Sequence, residues 1–127
     1  MAKHTVVVLD DDEFYLASWR QALANSVDLK CFDDPFLLHS FLKKSDLSKI
    51  SLMIIDYKLN GTNAGEINLA ATIRKLGYKN RLMMCSLLKN FGEYDSLIRD
   101  HFDGFLKKKV YNFSEITKYL SQNPYPS

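Results

Sequence analysis

The feature that most constrains this chain is a change of hydrophobic period, repeated five times along its length. Short apolar runs at Thr5–Leu9, Val27–Phe32, Leu52–Ile55, Arg81–Ser86 and Gly104–Lys107 each give way to a helical stripe. Thr5–Leu9 is continuous and β-branched, which is the signature of a strand buried on both faces. The stripes place apolar residues three and four apart. They are Leu16, Trp19 and Leu23; Leu37 with Phe41 and Leu38 with Leu42; Leu69, Ile73 and Leu76; Phe91, Tyr94, Ile98 and Phe102; and Phe113, Ile116 and Leu120. Punctuation agrees with this division. Asp34-Pro35 supplies an N-cap and a first-turn proline. Gly77 suits a helix C-cap, and Asn112 with Glu115 is spaced as a capping box. Strands and helices in strict alternation predict an α/β fold: an open, doubly wound parallel sheet of five strands between two helical layers. Right-handed crossovers leave few topologies.

Composition bounds the function. The chain has 127 residues, 46% of them hydrophobic, enough for one domain with a real core. The reading divides it into a domain over 1–122 and a tail or truncated linker over 123–127, where two prolines break the last helix. Net charge is +2 with acids and bases interspersed, which predicts no direct nucleic-acid partner and no membrane attraction. No apolar run approaches the roughly 20 residues of a membrane span, and the N-terminus lacks a signal-peptide core. A soluble, cytoplasmic protein is expected. Cys31 and Cys85 lie in strand-like stretches without C-x-x-C spacing, so both read as buried free thiols.

In an open parallel sheet, ligands bind outside the carboxyl ends of the strands. Asp10, Asp11 and Asp12 follow the first run, Asp56 the third, Ser86 the fourth, and Lys107, Lys108 and Lys109 end the fifth. Carboxylates crowded at one edge repel one another. A hard divalent cation relieves that repulsion, and Mg²⁺ takes one or two carboxylates with waters and a phosphate oxygen. Asp10 and Asp11 are the acids expected to turn inward, while Asp12 can cap the following helix. A carboxylate is also a nucleophile toward phosphorus. The equatorial oxygens of a transferring phosphoryl group need a metal, an ammonium and a hydroxyl or N–H. Asp56, Lys108 and Ser86 stand where those roles fall. Each residue alone reads as a turn former, a cap or a solvated charge; the joint placement is what carries the chemistry.

The segments Val6–Asp12, Leu52–Asp56, Leu82–Ser86 and Gly104–Lys108 resemble the receiver domains of two-component response regulators, over essentially the whole chain. The resemblance is to the chemotaxis response regulator fold, a flavodoxin-like sheet of order 2-1-3-4-5. It implies a phosphoacceptor at Asp56, loaded by a histidine kinase or phosphotransfer protein. It also implies Mg²⁺ (or Mn²⁺) held by Asp10, Asp11, Asp56 and the backbone carbonyl of Lys58. Ser86 becomes the switch hydroxyl, Phe105 the switch aromatic and Lys108 the phosphoryl contact. Such a protein assists its own phosphorylation and dephosphorylation. Its output face is formed by the fourth helix, fifth strand and fifth helix, where Asp95, Arg99, Asp100, His101, Glu115 and Lys118 lie. That face implies an effector or a homodimer.

The sequence departs from the family pattern at several points. The usual Lys-Pro is Lys108-Lys109, and a cis bond before a non-proline costs about 2.5–4 kcal/mol. Either a trans bond with a rearranged loop or a strained cis bond is expected. Leu87 stands where the family prefers a small residue. Asn60-Gly61 stands near the place of a common proline, and the segment before the third helix is longer than usual. Three rivals follow from the same residues. A pseudo-receiver would bind partners without phosphorylation. A haloacid-dehalogenase-like phosphatase would use Asp10 as nucleophile with Asp12, but it leaves Asp56 unexplained. A flavodoxin-like electron carrier is disfavoured by the acidic Asp10–Glu13 run, which would repel a flavin phosphate.

Overall fold

A computed structural model describes residues 4–56, 64–86 and 101–121. Five strands form one sheet: β1 (Thr5–Leu9), β2 (Asp28–Phe32), β3 (Ile50–Asp56), β4 (Arg81–Ser86) and β5 (Gly104–Lys107). All neighbours are parallel, in the order β2-β1-β3-β4-β5. The helices are α1 (Glu13–Leu23), α2 (Pro35–Lys43), α3 (Ala64–Lys75) and α4 (Phe113–Ser121), with a 3-10 turn at Leu47–Lys49. The expected topology and class are therefore observed. The expected helix over Phe91–Phe102 lies outside the described residues except for its last two positions. There, Phe102 is buried against the core.

The apolar runs fold as strands because both faces find a partner. On one face Val7, Leu9, Met53, Ile55, Leu82 and Met84 meet Leu38 and Leu42 of α2 and Leu69, Ala70 and Ile73 of α3. On the other, Val6, Val8, Leu52, Ile54, Met83 and Leu106 meet Leu16, Trp19 and Leu23 of α1 and Ile116 and Leu120 of α4. Only the edge strand β2 alternates with solvent, exposing Asp28 and Lys30. The third strand starts at Ile50, two residues before its expected start, because Ile50 is itself core. In α2 the Leu38–Leu42 pair is buried, whereas Leu37 is 57% exposed and leaves the stripe.

Caps set the helix ends. Asp12 and Asp34 accept hydrogen bonds from Phe14 N (2.9 Å) and Phe36 N (2.8 Å). Gly77 takes φ 105°, and Tyr78 N donates back to Ile73 O, closing α3 in the left-handed turn that glycine permits. Asn112 Oδ1 accepts from Glu115 N while Glu115 Oε1 accepts from Asn112 N, both at 3.0 Å, as the capping box predicts.

Candidate functional site

Four strand ends build the site. β1 delivers Asp10, and Phe32 O of the neighbouring edge strand accepts a hydrogen bond from its N–H at 3.0 Å. β3 ends on Asp56, whose register partner on β4 is Cys85, so Ser86 emerges one residue beyond. β5 ends at Lys107, and Lys108 N donates to Ser86 O at 2.9 Å, which fixes the lysine backbone beside the end of β4. Asp10, Asp56, Ser86 and Lys108 are the four polar or charged residues buried among those described.

Lys108 Nζ lies 3.1 Å from both carboxylate oxygens of Asp10 and 3.2 Å from Asp56 Oδ2. Its ammonium also sits 4.5 Å from the ring centroid of Tyr15 on α1, a cation–π contact on the flank of the ion pair. Burial pulls the lysine toward neutrality, but the Asp56 charge and the Asp10 hydrogen bond and charge together outweigh it, and its pKa is raised. Asp10 has its pKa raised from the ordinary value because its burial outweighs the help it receives from Asp12 N (2.9 Å) and Lys108. Desolvation, with Asp56 nearby, pushes the Cys85 thiol up to about 12, which makes it a packing group.

Asp10, Asp11 and Asp56 each offer a carboxylate oxygen, and these lie within 4.8 Å of one another. The set is oxygen-only and acidic, the donor chemistry of a hard divalent cation. Asp11 is partly exposed, which leaves an approach for water and for a phosphate oxygen. Asp12 instead caps α1 and is not one of the three grouped carboxylates, whereas a dehalogenase-like phosphatase would need it as the second acid.

Of the sequence-expected site residues, Asp10, Asp11, Asp56 and Lys108 are brought together, and Ser86 stands beside them. Phe105 is partly buried and packs against the α2–α3 core. Lys58 and Leu87 lie outside the described residues, as do Asn60, Gly61, Asp95, Arg99 and Asp100. The peptide bonds among the described residues are all trans, the Lys108–Lys109 bond included. Lys107 and Lys109 are exposed. Cys85 is buried as expected, but Cys31 is only half-buried, because it lies on the edge strand; two strands separate the pair. Two residues went unmarked in the sequence: Tyr15, which flanks the lysine, and Tyr111, whose hydroxyl donates to Lys107 O at 2.5 Å.

Neither a scan against protein-family models nor a search of curated proteins gives a match. Solved structures do match. A response regulator from Thermotoga maritima is 16% identical, with a TM-score of 0.78 over 96% of this chain and 100% of that one. A response regulator receiver protein from Pseudoalteromonas atlantica is 17% identical, with a TM-score of 0.72 over 91% of this chain and 95% of that one. A Burkholderia pseudomallei response regulator carrying a phosphorylated aspartic acid, a calcium ion and citrate is 15% identical, with a TM-score of 0.75 over 93% of this chain and 66% of that one. At these identities the likeness establishes the fold.

Proposed function

We propose, starting from a chain that has the fold of a response regulator receiver domain, that Asp56 accepts a phosphoryl group from a histidine kinase or phosphotransfer protein. The observation that carries this reading is the Lys108 ammonium within 3.2 Å of both Asp10 and Asp56, beside a third carboxylate. A solvated lysine run does not bury one ammonium among acids. A site built to receive negative phosphoryl oxygens does.

An Asp56 carboxylate oxygen attacks phosphorus in line with the donor nitrogen. The phosphorus–nitrogen bond breaks, and the imidazole keeps the electron pair. Lys108 turns from the carboxylates to one equatorial oxygen, and the Ser86 hydroxyl donates to another. Asp10, Asp11 and Asp56, with the Lys58 carbonyl, would hold a divalent ion, Mg²⁺ or Mn²⁺, which supplies positive charge against the remaining oxygen. The Burkholderia relative, with its phosphorylated aspartic acid and calcium ion, supports this assignment. Signal output follows from Ser86 and Phe105 biasing the face that contains β5 and α4, with Glu115 and Lys118 among its charges. An effector or a second copy docks there. No helix among the described residues is long and apolar enough to cross a membrane, and we place the protein with its kinase in the cytoplasm.

Intact-mass spectrometry after incubation with acetyl phosphate tests the reading. One phosphoryl adduct is expected, dependent on Mg²⁺ and lost in Asp56→Asn. A wild-type protein that stays unmodified with Mg²⁺ present contradicts it.

A further inference from the structure

Three consecutive lysines end β5, yet only the middle one reaches the carboxylates. Its side chain must cross the end of β4 to reach β3 and β1, so small shifts of its backbone move the ammonium off target. No proline stiffens the loop between β5 and α4. The geometry points to Lys109, Tyr111 and Glu115 as a clamp that positions Lys108 and keeps Lys109 out of the phosphoryl site. This inference rests on the phosphoacceptor reading above.

The clamp is built from side chains with two jobs each. Tyr111 donates its hydroxyl to Lys107 O (2.5 Å), the carbonyl just before Lys108. Its ring stacks on Trp19 of α1, with centroids 5.3 Å apart and planes 10° apart, which ties the loop to a buried helix residue. The Lys109 ammonium lies 4.8 Å from the same ring and pairs with Glu115 Oε2 at 2.5 Å. Glu115 Oε1 meanwhile accepts from Asn112 N (3.0 Å), so one carboxylate both caps α4 and holds Lys109. With Lys108 N bonded to Ser86 O (2.9 Å), the lysine backbone is held on both sides. A freed Lys109 would be a second mobile cation, drawn to the same carboxylates by long-range attraction.

Phosphorylation rates at fixed acetyl phosphate and Mg²⁺ test the clamp, with thermal melts confirming that every variant folds. Glu115→Gln and Lys109→Met are each expected to slow labelling about three- to tenfold. The double variant should be no slower than the worse single one, since both break one device. Lys109→Arg, which keeps the ion pair, should label within about twofold of wild type. Asn112→Ala weakens the α4 cap but keeps the Lys109–Glu115 pair, and it too should stay within about twofold. If Asn112→Ala slows labelling as much as Glu115→Gln, Glu115 acts only as a cap and the clamp is overturned. Wild-type rates in Glu115→Gln and Lys109→Met also overturn it while leaving the phosphoacceptor standing. An unlabelled wild type removes both.

Discussion

With Asp10, Asp11 and Asp56 ionised, Lys108 neutralises only part of the charge that they bring together. The site is therefore a place where folding stability is given up for function. Asp10→Asn removes one buried charge and leaves Lys108 paired with Asp56. It should raise the stability in EDTA by about 1–2 kcal/mol, since each pKa unit of relieved burial and like-charge crowding is worth about 1.4 kcal/mol. The same variant should lose most of the stabilisation that Mg²⁺ gives the wild type. Urea melts with and without Mg²⁺ check both halves, and a destabilised Asp10→Asn in EDTA would mean that the Lys108–Asp10 pair outweighs the crowding. These residues were legible in the sequence because strand ends in a parallel sheet share an edge, so acids, a hydroxyl and a lysine at four ends had to converge. Tyr15 was not legible, because an aromatic on an amphipathic helix looks like any other packing residue until its neighbour is known.

At the scale of elements, the base of the sheet has its own organiser. Arg74, near the end of α3, donates from Nε to His101 O (3.0 Å) and from Nη1 to Tyr78 O (3.0 Å) and Asn80 O (2.9 Å). Its Nη2 pairs with Asp103 Oδ2 at 3.0 Å, and Asp103 also bonds Leu82 through both backbone and side chain. One guanidinium thus joins α3, the turn into β4 and the entry to β5. Arg74→Ala should cost about 2–4 kcal/mol, several charge-assisted hydrogen bonds lost together, and Arg74→Lys should recover little, since an ammonium lacks the planar fork. Denaturant midpoints decide this. Nothing in the local sequence announced the hub, because its partners come from residues up to 29 positions away.

The α4 cap makes a pH prediction. The Lys109 hydrogen bond, then the Asn112 N–H, hold Glu115 below its ordinary pKa. A carboxylate depressed on folding adds stability above its unfolded pKa and loses it as pH falls through the folded one. Wild type should therefore melt above Glu115→Gln at neutral pH, and the gap should close on acidification below the usual Glu range. A gap that is constant with pH would assign it to packing instead. The box itself could be read from Asn112 and Glu115 alone, since capping is local. The second use of Glu115, on Lys109, could not, since it depends on how the loop folds back.

Over the whole molecule, the period of the apolar pattern was enough for architecture. Unbroken runs must be buried on both faces, and helices on both sides of a parallel sheet are the arrangement that does this. Burial at the edges was less legible: Cys31 looks like a core residue in its own run but lies on β2, which has a neighbour on one side only. The stem of the site is thus set by topology, and its fine positioning by contacts such as Tyr111 on Trp19 that only the folded chain creates. The claim that joins these levels is that Asp56 is the acceptor. The most direct measurement is borohydride trapping of the acyl phosphate formed with Mg²⁺, followed by tandem mass spectrometry of the peptides. Reduction at Asp56, with Asp10 and Asp11 untouched, is the predicted result. Reduction at Asp10, or none in fully loaded protein, would contradict the account.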